Sequence, residues 1–281
     1  MSSQSEEKNI IEQFILPFFH LERRFPLFPG KREMLIEAKL LGMSEKELEL
    51  GRQNSINNAK QAALELLKED TITELLDKLP FDGTETIAAI GDSTTEDGQG
   101  WFQIMKEVLE ISVDNARFNF INAGISENTT SEALRRLERD VLIHEPDWVF
   151  VNLGVFDLQR LSITPERTLL PLSETWENLN SIQEVLREFI TNEIVWVTPS
   201  PVIPKLIEAH PLYEFTIQEK DISQLVEIAS GKKGLVIDPQ SSRMGVAPDA
   251  WNYLSDGINH SLSGHISTTR EVLKGLASLS S

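Results

Sequence analysis

Residues 86–96 read TIAAIGDSTTE. The run TIAAI (86–90) is short and almost wholly apolar, the pattern of a strand covered by helices on both faces. Gly91 breaks it, and a polar stretch able to start a helix follows. Four later runs behave alike: RFNFI (117–121), WVFVNL (148–153), IVWVT (194–198) and LVID (235–238). Helical spacing fills the intervals Trp101–Ile111, Thr130–Ile143, Trp176–Ile190 and Gln218–Ala229. Strands alternating with helices predict an α/β chain, a three-layer α/β/α fold around a five-stranded parallel sheet. In such sheets ligands gather at the carboxyl ends of the strands. Any chemistry is therefore expected in the residues just after each run.

Residues 1–80 hold no comparable run. Ser44-x-x-Glu47 and Thr71-x-x-Glu74 have the form of capping boxes, each opening a helix. Leu48, Ile56, Ala59, Ala63 and Leu66 recur at near-helical spacing and predict a buried stripe. The expected organisation is a helical N-terminal extension over 1–80 and an α/β domain over 81–281. The extension is expected to pack on that domain, with a lid or a dimer contact as alternatives. Pro199–Phe215 carries four prolines and forms a long loop at a strand's carboxyl end, where loops are often functional.

Acidic residues number 44 against 26 Lys and Arg, a formal net charge of −18. Such a surface repels phosphate backbones and anionic lipid, so neither nucleic acid nor membrane is an expected partner. Cysteine is absent, which removes thiol catalysis, disulfides and Cys-ligated zinc. No His/Asp/Glu set has metal-ligand spacing, and neither metal nor cofactor is expected. The apolar run Ile10–Phe19 is interrupted by Glu12 and Gln13 and preceded by Glu6 and Glu7. It is too short to span a bilayer and lacks the basic start of a secretory signal, so a cytoplasmic protein is expected.

The chemistry-bearing residues follow the strands. Ser93 stands two residues after Gly91, where its hydroxyl serves either as a helix cap or as a nucleophile whose own N–H stabilises an oxyanion. The second run leads into INAGISENTT, where Gly124 lets a backbone N–H approach a ligand closely. The third leads into NLGVFD. Near the C-terminus, DGINHSLSGH places Asp256 and His260 four residues apart. Ser, His and Asp at one sheet rim form the set that acyl transfer needs.

These four segments, in this order, resemble the four blocks of the SGNH hydrolases, also called GDSL esterases and lipases. GDSTTEDGQGW resembles the nucleophile block and NAGISENTT the block whose glycine gives an oxyanion N–H. PDWVFVNLGVFD is similar to the Gly-x-Asn-Asp block, and DGINHSLSGH to the Asp-x-x-His block. The resemblance covers about residues 81–278. It implies a flavodoxin-like sheet and a metal-free serine esterase, with Ser93 as nucleophile, Asp256 as orienting acid and Gly124 at the oxyanion. No Gly-x-Ser-x-Gly elbow occurs, which argues against the α/β-hydrolase class.

Three positions depart from the pattern. Phe156 stands where the family has the asparagine that donates to the oxyanion. Glu127 stands where many relatives have glycine. Aligned without a gap, Asn259 takes the histidine position and His260 follows it. In a helix-like turn His260 would still share a face with Asp256, whereas in an extended segment it would point away. His260 is the favoured base, and His20, His144 and His210 read as surface or packing residues. The expected activity is hydrolysis of a small carboxylic ester by Ser93, His260 and Asp256. The alternatives are an impaired, ligand-binding member of the fold and an acyltransferase using the same serine.

Overall fold

The computed structural model describes residues 10–25, 31–240 and 248–280. The strands are β1 (Thr86–Gly91), β2 (Asn119–Gly124), β3 (Trp148–Asn152), β4 (Arg160–Leu161), β5 (Ile194–Val197), β6 (Phe215–Thr216) and β7 (Leu235–Ile237). Five of them form one parallel sheet in the order β2-β1-β3-β5-β7. The two-residue strands β4 and β6 pair antiparallel outside it. Each expected run lies in this sheet, although the second strand begins later than RFNFI and continues to Gly124. Its pairing with β1 runs on through Ala89↔Asn122 to Gly91↔Gly124, so the ladder outlasts the apolar run.

In the extension, α1 (Leu21–Arg24), α2 (Lys31–Leu40), α3 (Glu45–Leu66) and α4 (Asp70–Leu76) precede the sheet. The remaining helices are α5 (Ser93–Glu96), α6 (Trp101–Ser112), α7 (Thr130–Asp140), α8 (Leu172–Phe189), α9 (Pro204–Ala209), α10 (Glu219–Ser230) and α11 (Leu262–Ala277). Side chains of β1 alternate between two cores, as the pleat requires. Ala88 and Ile90 join Leu137, Leu179, Ile182 and Leu225 from α7, α8 and α10. Ile87 and Ala89 join Trp101, Ile104 and Met105 of α6 and Val272 and Leu276 of α11.

Helix α3 belongs to that second core through Ala59, Ala62, Ala63 and Leu66. The extension thus covers the sheet's helical layer. Ser44 and Glu47 form the expected reciprocal capping box. The second box does not form: α4 opens two residues earlier, with Glu69 at the N-cap making no side-chain cap bond. The Glu69 carboxylate is instead held by the Arg270 guanidinium. Ile56 of the expected stripe is 39% exposed, because the stripe that packs follows Ala59, Ala63 and Leu66.

The registers Gly91↔Gly124 and Gly91↔Asn152 bring the ends of β2, β1 and β3 level. The three segments after them therefore share one rim. No helix among the described residues is long and apolar enough to cross a membrane.

Candidate functional site

The rim is built closely around Ser93. A Cβ on Gly91 would lie 2.1 Å from Thr95 Oγ1, so only glycine lets β1 turn into α5 here. Asp92, not Ser93, is the N-cap: its Oδ1 accepts from Thr94 N at 3.0 Å. Ser93 is the first residue of α5, and its hydroxyl is buried with no partner among the described residues. Its backbone N–H, one of the free donors of a helix start, also bonds to nothing among them. Burial raises the Asp92 carboxyl to about 7, against the opposing hydrogen bonds from Thr94.

The segment after β2 corrects one expectation. The Gly124 N–H donates to Asn122 Oδ1 at 2.9 Å and is not offered to a ligand. Gly124 has a different duty, since a Cβ there would come within 2.4 Å of Glu96 N. Only a bare backbone lets β2 lie against α5. Asn122 is itself committed, its amide donating to Thr95 O at 2.7 Å. Further along, Ile125 N bonds Gly91 O and Ser126 N bonds the Glu96 carboxylate. The Glu127 N–H, by contrast, donates to no described residue. Glu127 adopts φ +63°, a left-handed conformation that glycine takes more cheaply. The free N–H of this loop thus belongs to residue 127.

Arg136, which no motif singled out, bolts this architecture together. Its guanidinium donates to Gly91 O, Ala123 O and Asn128 Oδ1. A positive group buried among strand-end carbonyls leaves no sequence signal beyond an arginine on a helix.

Phe156 supplies no donor. Its ring is 1% exposed and packs in the core with Leu153, Val155 and Leu158. Asp157 accepts from Thr130 N, Thr130 Oγ1 and Thr175 Oγ1, which ties the turn after β3 to α7 and α8.

Asp256 is brought to Asn259 and not to His260. Its Oδ1 accepts from the N–H groups of Ile258 and Asn259, and its Oδ2 from Asn259 Nδ2 at 2.6 Å. The chain at 260 is extended, bridging Tyr253 in antiparallel fashion, so successive side chains point to opposite sides. The expectation that Asp256 orients His260 therefore does not match the geometry. The His260 ring lies edge-on to Tyr253 and to His265, at 5.2 and 5.3 Å between centroids. Its Nδ1 has no described partner, and burial, with the nearby His265, lowers its pKa to about 3. His265 is held by Trp101 N and Asp97.

Tyr213 is a further member that the motifs do not reveal. Its hydroxyl donates to Asp256 Oδ2 at 3.1 Å, and burial beside that carboxylate pushes its pKa well up. The one signal for it was its place in the proline-rich loop. The amide oxygen of Asn259 remains buried without a described partner.

The extension reaches the same rim. His20 Nδ1 contacts Glu96 Oε1 at 3.1 Å, Arg23 bonds to the end of β2 and Arg24 to the segment after it. His20 is thus no surface residue. Phe14 also packs its ring at a tilt against His210, which packs in turn against Tyr213. No group of three or more His, Asp or Glu among the described residues is arranged to hold a metal ion.

The five-stranded parallel sheet between helical layers, with a serine at the first helical position after β1 and an acid before the last helix, is an α/β/α fold of SGNH type. The chain belongs to the GDSL-like lipase/acylhydrolase family, whose model matches residues 89–265, more than half of its length. That membership places it among the carboxylic-ester hydrolases. An acetylxylan esterase of Geobacillus stearothermophilus is 24% identical over 218 residues, covering 68% of this chain and 93% of that protein. Among solved structures, an acetylxylan esterase of the same organism aligns at 22% identity and a TM-score of 0.55, covering 68% of this chain and 94% of its own. A lipase/acylhydrolase from Enterococcus faecalis aligns at 20% identity and 0.56, covering 69% and 96%. These structural likenesses show the fold.

Proposed function

We propose that this chain hydrolyses a small carboxylic ester through Ser93, at low intrinsic turnover because the base position is held by an amide. The observation that carries the reading is the Asp256–Asn259 pair. It stands at the Asp-x-x-His block, with asparagine where an imidazole would be. Ser93 attacks the ester carbonyl, and the N–H groups of Ser93 and Glu127 receive the developing oxyanion. As the serine oxygen bonds to the carbonyl carbon its proton passes to water, because an amide at residue 259 has no basic lone pair to hold it. The alcohol departs, and water releases the acyl group from Ser93. The missing general base forfeits roughly 10²–10⁴ in rate. Donors at the oxyanion and substrate binding still leave roughly 10³–10⁴ over water. A short acyl group is favoured because Ser93 is 2% exposed. The acetyl ester that the Geobacillus relative's name implies has that size.

The test compares hydrolysis of a p-nitrophenyl acetate substrate by wild type and Ser93→Ala, with fluorophosphonate labelling of both. A rate in Ser93→Ala clearly below that of wild type, with labelling lost, supports the reading. Equal rates in the two proteins would remove it. A second reading, a binding protein on the same fold, is favoured by the buried Phe156 ring and by Asn259. It predicts no labelling of Ser93 in wild type.

A further inference from the structure

The segment Phe18–Arg24 belongs to the extension, yet His20, Arg23 and Arg24 all bond to the end of β2, the loop after it or the end of α5. One guanidinium nitrogen of Arg23 donates to Asn122 Oδ1 at 3.2 Å, to Gly124 O at 3.4 Å and to Glu96 O at 3.3 Å. Those acceptors belong to the end of β2 and the end of α5. Asn122 in turn holds Thr95 O and the Gly124 N–H, so a single cation braces both elements and the amide that joins them. Ser126, immediately before Glu127, is pinned at three atoms. Its Oγ donates to Phe18 O, its carbonyl accepts from Arg24 and its N–H bonds the Glu96 carboxylate. His20 holds the other oxygen of that carboxylate.

We propose that this N-terminal segment positions the Glu127 N–H beside the α5 turn that carries Ser93, with Arg23 as the principal positioning residue. The proposal rests on the ester-hydrolase reading above. A residue in the left-handed region needs its neighbours fixed, because its own backbone preference opposes the conformation. The turn's own bond from Asn128 N to Ile125 O and the grip of Arg136 on Asn128 fix it on one side, and on the Ser126 side the groups fixing it come from the extension. Loss of Arg23 leaves Asn122 and the Glu96 carbonyl without their shared donor, and the loop relaxes. A donor displaced by a fraction of an ångström stabilises the oxyanion less while ground-state binding is little changed.

The experiment measures kcat and KM for p-nitrophenyl acetate in wild type, Ser93→Ala, Arg23→Ala and Arg23→Lys, with and without added methylguanidinium. Arg23→Ala is expected to lose about tenfold or more in kcat, with KM within about twofold, since oxyanion donors act on the transition state. Methylguanidinium is expected to restore part of that loss, and Arg23→Lys to fall between. The same pair of variants in an Asn259→His background should show the same fold loss with an unchanged pH profile, because the base is not involved. An Arg23→Ala enzyme as active as wild type overturns the proposal alone. A loss that methylguanidinium and lysine both leave unrepaired, and that matches a loss of folded protein by circular dichroism, also overturns it. Wild type and Ser93→Ala at equal rates overturn the ester-hydrolase reading, and the positioning role with it.

Discussion

Asp92 and His260 are buried groups whose titrations pull stability in opposite directions. The Asp92 carboxyl is raised to about 7 in the fold, so between about pH 4 and pH 7 the native state holds a proton that the unfolded chain has lost. Stability from this group is therefore lost as pH rises through that window, by up to about 4 kcal/mol. His260 is lowered to about 3, so between about pH 6.5 and pH 3 the unfolded chain binds the extra proton. Its contribution is lost as pH falls. Urea denaturation of Asp92→Asn should show a gain over wild type at pH 8 that vanishes near pH 4. A difference constant across pH would contradict the buried titration. At the same scale, His260→Ala should leave ester turnover within a few-fold of wild type, since the ring faces Tyr253 and His265. A loss as deep as that of Ser93→Ala would restore His260 as the base.

Among the elements, the turn after β3 and the β2–α5 junction carry the sharpest consequences. Phe156 fills the core where an oxyanion donor stands in the family pattern. Phe156→Asn should not create that donor. It should remove a buried ring and bury an amide, costing about 3 kcal/mol or more by urea denaturation. Unchanged stability with faster turnover would mean that the side chain faces the site. The strands and the capping box at Ser44 were legible because apolar runs and cap residues are local signals. The Asp256–Asn259 pairing was legible only as a fork between helix-like and extended backbone. What settles it is the bridge from His260 to Tyr253, a contact no local pattern encodes. Gly124 misled for a related reason. Its closeness to a backbone was readable, but the backbone it meets is α5 and not a ligand.

Across the whole molecule, extension and sheet share one core. Ala59, Ala63 and Leu66 pack with Ile87, Trp101 and Leu276, and Arg270 clasps Glu69 between them. Thermal unfolding followed by far-ultraviolet dichroism and by tryptophan fluorescence should therefore give coincident transitions. Two separated transitions would show that residues 10–80 fold independently. The contacts from His20 and Arg23 to the rim were invisible to sequence reasoning, because a link across 73 to 101 residues leaves no periodicity. The four blocks carried the fold and the place of Ser93 at the start of α5; they did not carry which groups surround it.

The decisive measurement is the pH–rate profile of Asn259→His beside wild type on p-nitrophenyl acetate. An imidazole placed on Asp256 should raise turnover by roughly 10²–10⁴ and add an inflection near pH 6.5 to whatever the wild-type profile shows. Turnover unchanged or lowered, with no new inflection, would contradict the assignment of residue 259 to the base position.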